Sequence, residues 1–316
     1  MQKNSMDGLG YLDDRAYVDL SVSRAILTER VYGVSRGDRI PMTEDVAWRY
    51  GMAGTCWLVG NPAAAPIVLA ATCSVFALLS ILRVARRLKA SLDMILFTGL
   101  LLAVSPSFVL GTLDGTSISM VLLLATWAIS LHIRALTPDR RPLPLLAAFC
   151  VGMASCIRIE FLLLWPVLVL HAVVQSLFHD RRSGSFSYTL LKGMGGLIIV
   201  AICLAPLIGW NMQVIRVPWP RVPGAPLTLD ALSQPGAGAE AWTAISDAVG
   251  PAYAAVFNAP MVAAPWALIL FVMGSIAILV ATVRRREARA FAVLPLMVVA
   301  IPALLACLQP FLGNAS

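Results

Sequence analysis

The sequence predicts an all-α, polytopic membrane protein of about eight transmembrane helices. Three observations carry that reading. Of the 316 residues, 59% are hydrophobic and 13% charged, with a mean hydropathy of +0.81; a soluble domain is about a quarter charged. Apolar runs recur at near-span length, about twenty residues being needed to cross a hydrocarbon core about 30 Å thick. Basic residues cluster in every second connection between those runs.

Residues 1–62 contain neither a signal peptide nor a span. Within 17–32, Val18, Val22, Ala25 and Ile26 recur at helical spacing, which predicts an amphipathic helix lying in the membrane interface. Asp13 and Asp14 stand at its start. Gly33, Gly37 and Pro41 then break the chain, and Trp48, Tyr50 and Trp57 suit the aromatic belt of a membrane surface. Spans are expected near 63–84, 91–109, 117–134, 143–158, 160–177 and 190–211, with Pro106 near the end of the second. Residues 212–262 form a long connection. It opens on Pro218, Pro220, Pro223 and Pro226, an extended stretch that cannot be helical, and regains a helical pattern over 240–248. Connections of this length are usually functional or disordered. Spans near 263–283 and 290–311 complete the C-terminal part, 263–316.

Charge sets the orientation. Arg83, Arg86, Arg87 and Lys89 follow the first span, and Arg134, Arg140 and Arg141 the third. Arg181, Arg182 and Lys192 lie between the fifth and sixth, and Arg284, Arg285, Arg286 and Arg289 between the seventh and eighth. Short basic connections stay cytoplasmic. Residues 1–62, the turn around Asp114, the turn at Arg158 and Glu160 and the 212–262 segment are then expected on the outer side. The net charge of +7 reads as orientation and contact with anionic lipid, not as nucleic-acid binding. A translocated start without a span implies either a short exported tail or a first helix lost by truncation or a misplaced start; we favour the second.

Arg158-Ile159-Glu160 interrupts two apolar runs. An ionised side chain at bilayer depth costs roughly 2.5–3.5 kcal/mol on insertion scales, so such a pair is a candidate site. Arg158 can bind a phosphate bidentately, with Glu160 orienting it. The structural alternative is a pair of charges at the end of a helical hairpin. Residues two apart do not face each other on a regular helix, so a mutual pair requires a broken one.

Asp13 and Asp14 can serve as general base or hold a divalent cation against a phosphate, or merely cap the helix. Asp114 lies between Gly111 and Gly115, where a turn is the default. Lys192 to Gly196 opens a span, where small residues favour close packing. Cys56, Cys73, Cys150, Cys156, Cys203 and Cys307 show no paired metal spacing and read as packing residues. His132, His171 and His179, at span ends, read as interfacial.

The stretch from Leu12 through Asp13, Asp14 and Tyr17 to Val18, followed by Gly33, Gly37 and Trp48, resembles the first outer loop of the GT-C class of membrane glycosyltransferases. Gly111 to Thr116 is similar to that class's Gly-Met-Glu-Thr turn, with Asp114 beside the Glu position. Arg158-Ile159-Glu160 is similar to its Arg-Pro-Glu turn, with Ile159 in place of Pro. The resemblance covers about the first 210 residues, and the Pro-rich 216–226 stands where the class has its second large outer loop.

The resemblance implies a GT-C-like fold and a polyprenyl-phosphate-linked sugar as donor. It implies inverting transfer to an acceptor hydroxyl on a glycan, lipid or protein, at the outer face of a bacterial inner membrane. Asp13 or Asp14 would be the base. Arg158, with Arg216 or Arg221, would hold the lipid phosphate, supported by Glu160 and Asp114. No cofactor is assigned, and Asp13 and Asp14 could hold a divalent cation. The alternative is a non-catalytic membrane subunit or a lipid-linked-sugar transporter, including a truncated homologue. The nearly uncharged span interiors argue against transport.

Overall fold

The computed structural model describes residues 14–34, 39–42, 44–87, 91–135, 145–179 and 185–216. Among them every regular element is helical. Four stretches are long and apolar enough to cross a membrane: Ala65–Arg87, Ile118–Ala135, Ile159–Ser176 and Ser187–Val214. These correspond to the first, third, fifth and sixth expected spans. The seventh and eighth, and the 212–262 connection beyond residue 216, lie outside the described residues.

The expected helix near 17–32 is α1, Asp14–Glu29; α2, Val46–Val59, follows and leads to α3, Ala65–Arg87. The second expected span is not continuous. It divides into α4, Leu92–Ala103, and α5, Pro106–Leu113. Pro106 has no N–H to donate and disfavours helical geometry at Ser105, which stops α4. The same proline suits the first turn of α5, where the Ser105 carbonyl accepts from Phe108 and Val109. Next comes α6, Ile118–Ala135. The fourth expected span is α7, Leu145–Ser155, whose 11 residues reach only about 16 Å. A 3-10 turn, Ile159–Leu163, joins it to α8, Leu164–His179; α9, Ser185–Val214, is the last described helix.

The chain divides into two compact units. One holds α1 to α7, the turn up to Leu162 and α9 from Met194 onward. Here α3 packs on α6 and α2, α6 on α7, and α1 on α2. The main core joins Trp48, Met52 and Cys56 of α2 to Ala65 and Ala70 of α3, Val121 of α6, and Cys156 and Ile157. Burying a side chain the size of Met52 or Ile157 contributes about 1.5–3 kcal/mol. Trp48 is completely buried rather than interfacial, whereas Trp57 is 75% exposed. His132 is likewise buried, contrary to the interfacial expectation. Helical spacing, rather than nearness to a span end, decides which face of α6 a residue occupies.

The other unit contains α8 and α9 up to Gly193. His171 is buried there too. Trp165 Nε1 donates to the Gly193 carbonyl at 3.1 Å. A Cβ on Gly193 would stand 3.0 Å from Val169 Cγ1, so the small residues opening this span do permit close packing.

Large apolar side chains remain uncovered on α4, including Leu92, Leu96, Phe97 and Leu100, and on α9, including Leu197, Ile198 and Ile202. Apolar surface of this extent suits hydrocarbon rather than water. The class the fold defines is a helical membrane protein.

Candidate functional site

On α1 the residues Ala16, Asp19, Val22 and Ser23 share one face by helical spacing, and all four are buried. The buried face meets α2. Val18, counted among the apolar face in the sequence, is 46% exposed. A carboxylate on a buried face requires a partner, and α2 supplies it. Arg49 Nε donates to Asp19 Oδ1 at 2.6 Å, and Arg49 Nη1 donates to Tyr32 Oη at 2.6 Å. The guanidinium carbon lies 5.6 Å from the Tyr32 ring centroid. Ser23 Oγ lies within hydrogen-bond range of the carbonyls of both Asp19 and Arg49, joining the two helices a second time.

Burial pushes the Tyr32 phenol up to about 12, with Arg49 opposing and the negative charges of Asp19 and Asp45 adding to the rise. Burial disfavours the charge on Arg49, but the attraction of Tyr32 and Asp19 outweighs it and raises the guanidinium's proton affinity. The set is therefore a buried ion pair completed by a neutral phenol.

The chain between α1 and α2 is clamped by the end of α9. Trp210 Nε1 donates to the Ile40 carbonyl at 2.9 Å, and Asn211 bonds both backbone groups of Met42. Tyr32, Met42 and Val46 pack with Val22 of α1 and Leu207 of α9 in a second core cluster. Beyond the clamp comes Asp45, with φ 59° and ψ 18°, a left-handed conformation uncommon outside glycine.

Asp45 stands at the N-cap of α2, yet its side chain does not cap. The backbone is held elsewhere. Asp45 N–H donates to the Ile157 carbonyl at 2.9 Å and Val46 N–H to the Cys156 carbonyl at 3.0 Å. These bonds fasten the start of α2 to the turn that carries Arg158 and Glu160.

That turn is a broken helix, the condition expected for residues two apart to meet. α7 stops at Ser155, Arg158 N–H donates to the Ala154 carbonyl at 2.8 Å, and Phe161 N–H donates to the Arg158 carbonyl at 3.1 Å. Arg158 and Glu160 are half-buried. Among the described residues no ion pair joins them. Leu20 of α1 and Phe161 of the turn pack against the same core cluster, so the first helix and the Arg158 turn share one wall.

Asp14 is the first residue of α1, and Asp13 lies outside the described residues. Asp114 is half-buried in the turn after α5; Gly115, at φ 64°, accounts for that turn. Arg216 is exposed two residues beyond α9, at φ 58°, and Arg221 lies outside the described residues. Among the described residues no three His, Cys, Asp or Glu side chains are grouped to hold a metal ion.

Asp19, Tyr32, Asp45, Arg49 and Asn211 escaped the sequence reading. Asp19 and Arg49 carried a signal: each is a charge on the helical face that otherwise packs. Asn211 carried a weaker one, as a polar residue in the last turn of an apolar helix. Among the described residues, two further buried polar atoms, Trp48 Nε1 and Thr116 Oγ1, have no hydrogen-bond partner, and neither does Asp45 Oδ1. No protein-family model, characterised protein or solved structure matches this chain.

Proposed function

We propose that this protein is a GT-C-type membrane glycosyltransferase that moves a sugar from a polyprenyl phosphate to an acceptor hydroxyl at the outer face of a bacterial inner membrane. The observation that supports the reading most is the backbone pairing of Asp45 and Val46 with Ile157 and Cys156. It fastens the Arg158 turn to the start of α2, in the same N-terminal region that carries α1.

In the reaction, Asp13 or Asp14 takes the proton of the acceptor hydroxyl. The acceptor oxygen bonds to the anomeric carbon as the carbon–oxygen bond to phosphate breaks. The polyprenyl phosphate leaves with the electron pair, and the configuration inverts. Arg158 offers a planar pair of donors to the phosphate oxygens, with Arg216 or Arg221 as a second cation. Base catalysis of this kind needs no metal, though the acidic pair could hold a divalent cation.

The test is transfer from radiolabelled polyprenyl-phosphate sugars by the full chain in membrane vesicles. Asp13→Asn combined with Asp14→Asn should abolish transfer while membrane insertion is unchanged. Undiminished transfer by the double variant would overturn the assignment.

A further inference from the structure

Among the described residues, Asp45 and Trp48 are buried polar side chains with an atom that has no hydrogen-bond partner. Asp45 is 8% exposed and its Oδ1 accepts no hydrogen bond; Trp48 is completely buried and its Nε1 donates none. They stand three residues apart, Asp45 at the N-cap of α2 and Trp48 within its first turn.

An Asp at an N-cap ordinarily accepts from the N–H groups two or three residues ahead. Here it does not, and the left-handed backbone at φ 59° is held by the Ile157 carbonyl. The carboxylate is thus kept from the use its position would normally give it. Strained backbone with an orphaned buried acceptor is a costly combination that persists where function requires it.

We infer that Asp45 and Trp48 grip one hydroxyl of the glycosyl group that this protein handles, Asp45 Oδ1 accepting the hydroxyl proton and Trp48 Nε1 donating to the hydroxyl oxygen. The inference rests on the glycosyltransferase reading for the identity of that group. The chemistry selects a hydroxyl. A cation would satisfy the carboxylate and leave the indole N–H without an acceptor. An anion would satisfy the indole and be repelled by the carboxylate. A hydroxyl donates and accepts at once. Both atoms lie away from bulk water, so a substrate lacking that hydroxyl leaves two buried groups unpaired and is strongly discriminated against. The Arg158 turn, fastened to Asp45 by its Ile157 carbonyl, stands beside the pair, so sugar and lipid phosphate are recognised by adjoining parts of one frame.

The test uses the full chain in nanodiscs and a short polyprenyl phosphate, bare or carrying mannose, glucose, galactose or arabinose. The dissociation constant is measured for the bare lipid and for the tightest sugar-bearing one. Trp48→Phe keeps the ring and removes the N–H; Asp45→Asn keeps the shape and removes the charge. Each should weaken the sugar-bearing lipid about tenfold and leave the bare lipid unchanged. Asp45→Gly, which relieves the backbone, should lose the same preference while melting no lower than the wild type. Wild-type affinities in all three variants would assign the pair to a bound water and overturn the inference. So would an equal loss for both lipids, or a wild-type protein that does not distinguish them. Sugar preference lost in the variants, in a protein that transfers nothing, would leave the subsite standing and remove the enzyme reading. Normal transfer with unaltered preference in the variants would do the reverse.

Discussion

Asn211 holds Met42 by both edges of its amide: Oδ1 accepts from the Met42 N–H at 2.7 Å and Nδ2 donates to the Met42 carbonyl at 2.7 Å. The two residues are 169 apart in the chain, and Asn211 is fully buried. One side chain therefore supplies the two backbone bonds that a neighbouring strand would otherwise give to this segment.

Asn211→Leu should consequently destabilise the protein beyond the loss of one contact. It leaves a buried N–H and a buried carbonyl unpaired, each at a cost of about 1–3 kcal/mol. Asn211→Asp should fail as well, since a carboxylate accepts from the N–H but places a second oxygen against the carbonyl. Hydrogen exchange at the Met42 amide checks this directly. The amide should be protected in the wild type and exchange early in both variants, before the core amides of α3. Unchanged protection in Asn211→Leu would mean that Trp210 and the surrounding packing hold the segment alone.

Tyr32 makes a prediction about pH. Its ordinary value of 10.0 is raised by burial to about 12. A phenol whose folded value is raised keeps its proton better in the folded state. Its contribution is therefore complete below pH 10 and is lost as pH climbs through about 12. Two units correspond to about 2–3 kcal/mol. Melting temperature measured across pH 9–12 should fall in the wild type, and fall less steeply in Tyr32→Phe. At neutral pH the same variant should be less stable by about 1.5–3 kcal/mol, because Arg49 loses a charge-assisted bond. Parallel alkaline slopes in the two proteins would show that Tyr32 does not govern this limb.

The helical membrane architecture was legible because hydropathy reports on it directly: α3, α6, α8 and α9 each cover most of an expected span. What escaped was set by single residues within otherwise apolar runs. Pro106 divides one run into α4 and α5, and α7 is too short to cross alone. The Arg158 turn could be read as a helix break, because two opposite charges interrupt apolar sequence there. Its fastening to Asp45 could not, since backbone hydrogen bonds between distant segments leave no residue-type signal. Nothing in the sequence distinguishes Asp45 from other loop carboxylates; its burial and its left-handed backbone set it apart. Trp48 illustrates the same limit. An aromatic near a span reads as interfacial, and its complete burial follows from its place on the inner face of α2.

Positive backbone angles at Arg30 and Asp45 allow strain and function to be separated. Both are non-glycine residues in left-handed geometry, at φ 56° and φ 59°. Arg30 is exposed, one residue past the end of α1, where glycine is favoured. Arg30→Gly should therefore raise stability by about 0.5–1 kcal/mol. Asp45→Gly relieves comparable backbone strain and also removes a buried acceptor without a partner, so its gain should be larger, about 1–3 kcal/mol. Chemical denaturation in mixed micelles measures both. A loss of stability in Asp45→Gly would indicate that the carboxylate has a structural partner in solution.

Gly152 marks a close approach between α7 and α9. A Cβ built there would lie 2.8 Å from both Cβ and Sγ of Cys203 and 3.3 Å from Val200 Cα. The neighbouring Cys156 Sγ reaches the Cys203 carbonyl at 3.3 Å, so the helices cannot separate without loosening that contact. Gly152→Ala should accordingly cost about 1–3 kcal/mol through overpacking. The cause can be isolated with a double-mutant cycle. Cys203→Ala keeps the offending Cβ and should restore little. Cys203→Gly removes it and should recover much of the loss, apart from about 1 kcal/mol for glycine within a helix. Additive effects of Gly152→Ala and Cys203→Gly would place the strain elsewhere, whereas a favourable coupling above about 0.5 kcal/mol assigns it to this pair.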